Sequence, residues 1–323
     1  MALNNTVLLR AMSGPEVGLG HVMRSRSVAQ EVLARGGVPI LVVDDGATAQ
    51  LFGSEPYSVV TEEALPDWAD APAAGAWVDG FVEWSAEIER LQAQRTPIFL
   101  VENRSSARER CAHLVYPALH WTPDAWDAAH PSRVLSGAPW IPLAREVRET
   151  RPRSERDVDL LISFGGSDPA QLSERVLSAL DTRDLRVVLV VGPHMADRRL
   201  GLEALAQEHE RLEVLPAGAS LAPWMARSRM ALTALGTTLY ELAYLGVPAL
   251  ILANYSSDLD ALDWYAGHGP HLPLGVSGAL SCEGLRHSLR TGLLELSSRG
   301  PCAVPELGSG ASRLAAELLR GAA

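Results

Sequence analysis

The chain contains no lysine, and all 28 of its basic residues are arginine. That is a bias of usage, and no function follows from it. Cysteine is scarce as well: Cys111, Cys282 and Cys302 are the only three. Their spacing fits no metal site, and an odd number suits a reducing compartment. His113, His120, His130, His194, His268 and His271 show neither H-x-x-x-H nor H-E-x-x-H spacing. No metal and no cofactor is therefore expected. No serine occupies a G-x-S-x-G elbow, so acyl transfer by a serine is unsupported. No apolar run reaches the ~20 residues of a membrane span, and Met1-Ala2-Leu3-Asn4-Asn5 is no charged leader. A cytoplasmic protein without a membrane span is the expectation. Positive charge is outweighed, with 28 basic against 39 acidic residues and a net charge of −11. That excludes a nucleic-acid surface as the main business. A phosphorylated ligand stays possible, because local arginines and backbone amides can hold one. There is no short-period repeat and no low-complexity stretch.

What is present is ordinary globular material: 47% hydrophobic and 21% charged residues in a chain of 323. That length fits two domains, each with enough apolar residues for a core. Val7–Arg10 reads as a strand and His21–Arg35 as a helix with Val22, Val28, Ala29, Val32 and Leu33 at helical spacing. Gly36-Gly37 ends that helix, and Val38–Val43 reads as the next strand. Strands follow at Ala76–Val78 and Pro97–Val101, with Glu83–Gln94 helical between them. The stretch 137–157, rich in proline and charge, reads as a boundary. The alternation then restarts, with strands at Asp159–Phe164, Leu185–Val191, Leu212–Leu215, Met230–Leu235 and Ala249–Ala253 and a closing helix at Ser309–Leu319. Short continuous apolar strands between helices indicate parallel sheets covered on both faces. The expectation is α/β: two Rossmann-like domains, residues 1–145 and 146–323, facing a central cleft near the strand carboxyl ends. The last helix is placed either with the second domain or packed back on the first.

Four stretches carry candidate chemistry. Gly18-Leu19-Gly20-His21-Val22-Met23-Arg24 runs from loop to helix after a strand, where backbone N–H groups can meet an anion. It is no dinucleotide fingerprint, because Met23 holds the place of the third glycine. His21 can transfer a proton there, or simply pack at the helix start. Asp79, at a strand end, can orient a histidine, hold a sugar hydroxyl or be a plain helix cap or surface acid. In Gly236-Thr237-Thr238, with Glu241 one turn on, glycine and hydroxyls suit a phosphate and the carboxylate suits a ribose. Thr238 and Glu241 equally fit a capping box. Gly165-Gly166-Ser167-Asp168 fits a ligand loop or an ordinary strand–helix turn in which Ser167 or Asp168 caps the helix. Asp44-Asp45 is accounted for by a turn.

These motifs together resemble the UDP-sugar hydrolases of pseudaminic-acid biosynthesis. Those enzymes share the glycosyltransferase-B fold with spore-coat polysaccharide proteins and with the UDP-GlcNAc transferase of peptidoglycan synthesis. The resemblance runs almost end to end, through the G-x-G-H-x-x-R and G-T-T-x-x-E elements, Ile162–Pro169, Leu245–Pro248 and the closing Gly308–Ala311. It implies uridine diphosphate held mainly by the second domain, by Gly166, Ser167, Gly192, Gly236, Thr237, Thr238 and Glu241. Gly18, Gly20 and Arg24 would face the substrate from the first domain. Arg24 or helix N–H groups would take the leaving group's charge. His21 and Asp79 would be catalytic, with water attacking the anomeric carbon and inverting it. The chain departs from the family in three places. Asn254-Tyr255-Ser256 stands where an Asn-Gln pair holds the sugar, Gly80-Phe81 replaces His-Tyr, and Glu102-Asn103 replaces Asp-Asp. All three lie where a sugar would be read. An inverting glycosyltransferase and a non-catalytic nucleotide-sugar-binding protein are the alternatives on the same scaffold.

Overall fold

A computed structural model describes residues 5–269, 271–300, 304 and 306–320; Cys302 and the first four residues lie outside the described residues. The chain divides into two compact units, one of Met1–Arg145 with Glu306–Ala323 and one of Glu146–Pro305.

Unit 1 is built on a seven-stranded sheet. Its strands are β1 (Thr6–Ala11), β2 (Val38–Val43), β3 (Ser58–Thr61), β4 (Gly75–Asp79), β5 (Ile98–Val101), β6 (His113–Tyr116) and β7 (Val134–Ser136). They lie in the order β3-β2-β1-β4-β5-β6-β7, every pair parallel. The helices α1 (Gly20–Ala34), α2 (Gly46–Leu51), α3 (Ser85–Ala93) and α4 (Ala125–Ala129) connect them, and α5 (Arg145–Glu149) leads out. Unit 2 carries β8 (Val158–Ser163), β9 (Val187–Val190), β10 (Leu212–Leu215), β11 (Ser228–Thr233), β12 (Ala249–Ala253) and β13 (Leu272–Val276). Its six-stranded sheet has the order β10-β9-β8-β11-β12-β13, again parallel. Its helices are α6 (Leu172–Ala179), α7 (Arg199–Ala206), α8 (Ala222–Arg227), α9 (Thr237–Tyr244), α10 (Leu259–Gly267) and α11 (Cys282–Ser298). The chain ends on α12 (Gly310–Arg320), which packs on α1 and β4 within unit 1.

The predicted strands and the first helix fall within two residues of their observed ends. No expectation covered β3, β6, β7, β13, the 17-residue α11 or the shorter helices α2, α4, α5, α7 and α10. In β3 and β13 every residue is half-buried or more exposed, so no apolar run marks them.

Parallel strands are covered on both faces, and so the apolar residues run continuously. In unit 1, Val7, Leu9, Val22, Val28, Val32, Trp77 and Phe99 form one core layer with Leu314 and Leu318 of α12. Leu8, Val78, Trp68, Trp84, Ile88 and Leu100 form the layer on the opposite face. The ring of Trp77 donates through Nε1 to Ser25 Oγ at 2.9 Å, which fixes α1 over β4. In unit 2, Leu160, Ile162, Leu189, Leu232, Leu250 and Leu252 form the core with Leu285, Leu289 and Leu296 of α11.

The seat of α12 rests on Ala311, Leu314, Ala315 and Leu318, one buried stripe at helical spacing. At its start, a Cβ added to Gly310 would fall on the Ile141 backbone. Backbone cannot swing aside as a side chain can. Gly310→Ala is therefore expected to destabilise unit 1 by about 1–3 kcal/mol, the usual cost of overpacking. Denaturant unfolding checks it, and wild-type stability in the variant would mean that α12 is not seated as described.

Candidate active site

In open parallel sheets the loops that diverge at a switch in strand order leave a crevice at the carboxyl ends of the strands. In unit 1 the switch lies between β1 and β4, and in unit 2 between β8 and β11. All four motifs picked from the sequence sit at those strand ends: Gly18–Arg24 follows β1, Asp79 ends β4, Gly165–Asp168 follows β8 and Gly236–Thr238 follows β11.

The β1 loop turns on two glycines with positive φ, Gly14 at 120° and Gly18 at 81°. Gly18 N donates to Gly14 O at 2.8 Å and closes the turn. Gly20 has a different reason to be glycine. It is exposed, and a Cβ there would meet no heavy atom within 4 Å. The fold itself therefore does not require it, and its absent side chain leaves the backbone open at the start of α1.

One turn of α1 places His21 and Arg24 on the same face, both over Asp79. Asp79 is fully buried, and His21 and Arg24 are 6% and 7% exposed. Asp79 Oδ1 lies 2.7 Å from His21 Nδ1. Arg24 donates from Nε to Asp79 Oδ2 and from Nη2 to Oδ1, each at 2.6 Å. Arg24 Nη1 donates to Glu102 Oε2 at 2.7 Å. Arg24 Nη2 also lies 3.0 Å from His21 Nδ1. An unprotonated Nδ1 would turn its lone pair on the Asp79 carboxylate, so Nδ1 carries the hydrogen and donates it to Oδ1. The lone pair of the neutral ring is then on Nε2.

The electrostatics fit a proton acceptor. Burial alone would raise the Asp79 pKa, but Arg24 and then His21 outweigh it and hold the carboxyl below its ordinary value. Burial likewise opposes charge on Arg24, and Asp79 and Glu102 more than offset it and raise its pKa. Two carboxylates and one guanidinium leave the cluster with one negative charge in excess, so a proton arriving on His21 is balanced. Asp79 is thus neither a cap nor a surface acid. Arg24, offered by the resemblance beside helix N–H groups for the leaving charge, has its guanidinium taken up by two carboxylates beneath His21. Its place is that of a support for Asp79. Glu102 was noted only as a departure in sequence. Its φ of 47°, unusual for a residue with a side chain, was not readable there.

In unit 2, Gly165 has φ of 83° and Asp168 of 44°. Asp168 settles the capping question for its loop: it accepts from Leu172 N at 2.7 Å and Ser173 N at 2.9 Å. Arg198 braces the same loop by donating to Asp168 O at 2.9 Å. Gly166 and Ser167 are half-buried above it. Gly192 has a packing role, since a Cβ there would overlap the carbonyl oxygens of Gly165 and Gly166. The capping-box expectation for Thr238 and Glu241 is overturned. The N-cap of α9 is Gly236, in extended backbone, and no side chain caps it, so Thr237 and Thr238 open the helix instead of preceding it. Gly236 is exposed, and Thr237, Thr238 and Glu241 are half-exposed. Asn254, one residue past β12, is half-buried with its Oδ1 buried and unpartnered.

His271 holds α9 in place. It is fully buried, accepts from Ala249 N through Nδ1 at 3.2 Å and pairs through Nε2 with Leu239 O at 3.1 Å. Both ring nitrogens are satisfied only when the ring is neutral, and burial pushes its pKa down to about 4. Between its ordinary value near 6.5 and about 4, the unfolded chain binds a proton that the folded chain refuses. Stability is therefore expected to fall as pH drops through that window, by up to roughly 3 kcal/mol. Urea unfolding of wild type and His271→Gln at pH 7 and pH 5 checks this. An equal acid slope in both would remove His271 from the account.

No family model matches the chain. By sequence it is similar to the spore coat polysaccharide biosynthesis protein SpsG of Bacillus subtilis, 27% identical over 168 residues. That match spans 49% of this chain and about half, 48%, of the relative. Among solved structures, the spinosyn rhamnosyltransferase SpnG gives a TM-score of 0.61 at 15% identity, over 97% of this chain and 95% of that one. The same enzyme has been solved with thymidine diphosphate. MurG of Acinetobacter baumannii gives 0.59 at 13% identity, over 95% of this chain and 94% of that one. At these identities the likeness concerns the fold, and the fold is the glycosyltransferase-B fold: two α/β domains on parallel sheets.

Proposed function

We propose that the protein is an inverting enzyme acting on a nucleoside-diphosphate sugar and that it transfers the sugar to an acceptor hydroxyl. The observation that carries the reading is the buried His21–Asp79 pair, which gives the ring one tautomer and one free base nitrogen. His21 Nε2 takes the proton of the acceptor hydroxyl as that oxygen bonds to the anomeric carbon. The bond from the anomeric carbon to the phosphate oxygen breaks, and the nucleoside diphosphate leaves with the electron pair. Its charge is met by backbone N–H groups at Thr237 and Thr238 at the start of α9 and by the Gly166–Ser167 loop. Glu241 and Asn254 are assigned to the ribose and the sugar. The bond network of Arg24 keeps it out of that role.

Transfer is placed ahead of hydrolysis because the solved structures that share this fold include transferases. Hydrolysis is the second reading, favoured by the likeness of the G-x-G-H-x-x-R loop to UDP-sugar hydrolases; water then replaces the acceptor. A binding protein without chemistry would have no use for an oriented, charge-balanced base. Purified protein offered a panel of UDP- and dTDP-sugars separates the three. Nucleotide release only with an acceptor supports transfer, and release in buffer alone supports hydrolysis. Binding without release defeats both.

A further inference from the structure

Phe81 is 68% exposed and Val82 44% exposed on the short loop after Asp79. An exposed phenylalanine is commonplace on a loose loop, but this loop is clamped. Asn103, 4% exposed, donates from Nδ2 to both Gly80 O at 2.9 Å and Val82 O at 2.7 Å, and its Oδ1 accepts from Ser105 N at 3.0 Å. The side chain of Met12 fills the space that a Cβ at Gly80 would need, and its sulfur accepts from Phe81 N at 3.2 Å. The ring of Phe81 is thereby held edge-to-face on His21, with centroids 4.7 Å apart and planes at 79°. Gly80, Phe81 and Asn103, three of the positions that depart from the resembling family, thus form one device whose product is an apolar face beside the base.

We propose that Phe81 determines acceptor specificity: its exposed face receives the aryl or other flat apolar part of an acceptor alcohol and leaves the hydroxyl at His21 Nε2. This rests on the transferase reading above. A polar acceptor gains nothing from that face, whereas an aromatic one gains the ~0.5–1.5 kcal/mol of a ring pair. An aspartate at 103 has no N–H to hold the two carbonyls, so the clamp and the specificity are linked.

The test compares 4-methylumbelliferone with glycerol as acceptors, with a UDP-sugar that wild type turns over. Phe81→Ala is expected to lower the ratio of their kcat/KM values roughly three- to tenfold. Asn103→Asp should lower it in the same direction, and Phe81→Tyr should keep it. Saturation-transfer NMR of 4-methylumbelliferone on the UDP-loaded protein gives a readout without turnover, and its signal should weaken in Phe81→Ala. If wild type binds the aryl alcohol through Phe81 but transfers nothing, the transferase reading fails and Phe81 is left as a binding face for aryl ligands and not a determinant of acceptor choice. An unchanged ratio in Phe81→Ala, or an undiminished NMR signal there, overturns the assignment.

Discussion

Replacing His21 with asparagine is expected to cut kcat by about 10²–10⁴, the usual loss for a general base. Attack on the anomeric carbon needs a hydroxyl whose proton is leaving. With Nδ1 committed to Asp79 at 2.7 Å, Nε2 is the ring nitrogen available to take it. Asparagine has no site that is basic near neutral pH, so the base is lost while the polar character of the side chain is retained. Affinity for the nucleoside diphosphate should change little, because the proposed cradle for it is in unit 2 and His21 is in unit 1. The measurement is steady-state kinetics with UDP-binding calorimetry beside it. Near-normal kcat in the variant, or a parallel loss of turnover and UDP affinity, would remove His21 from the mechanism.

The fold was legible because parallel strands buried on both faces announce themselves as apolar runs. Val7–Arg10, Val38–Val43 and Ala249–Ala253 needed no other signal. The margins at β3 and β13 were not, since their residues keep a share of solvent and break the run, although the edge strand β10 was legible. Of the site, His21 and Asp79 could be picked out because each sits at a strand–loop–helix junction. What their side chains touch could not be read, because 58 residues separate them and the pairing depends on the β1–β4 register, where Ala11 stands beside Asp79. Arg24 shows the limit most clearly. A helical spacing of three puts it on the face of His21, but only the buried carboxylates decide that it points inward and not toward a phosphate. At Thr238 and Glu241 the local spacing fits a cap as well as a ligand site, and only the structure shows that Gly236 holds the N-cap position with no side chain capping α9.

Asp79→Asn should be costly in two independent ways. An asparagine of the same shape can point one oxygen at Arg24 or at His21, but its other atom is an amide nitrogen facing donors that already need acceptors. Arg24 keeps Glu102 as a partner, yet it loses its bidentate carboxylate in a site with almost no solvent. Breaking a buried ion pair from one side costs about 3–5 kcal/mol. The pH dependence has a defined sign. The folded pKa of Asp79 lies below its ordinary value, near 3.9, so its contribution is complete above that value and is lost as pH falls toward the folded pKa. Wild type and variant should thus differ fully at pH 7 and converge below about pH 4, as urea unfolding at a series of pH values would show. Catalysis adds a second readout. Without the carboxylate, Nδ1–H is no longer enforced, and Arg24 Nη2, 3.0 Å away, can donate to Nδ1 and stabilise the tautomer whose Nε2 is already protonated. Loss of an orienting carboxylate of this kind lowers kcat by up to about 10⁴ in serine proteases, and a loss of several hundredfold or more is expected here. A variant that keeps wild-type stability at pH 7 together with wild-type kcat would show that Asp79 neither anchors Arg24 nor sets the His21 tautomer.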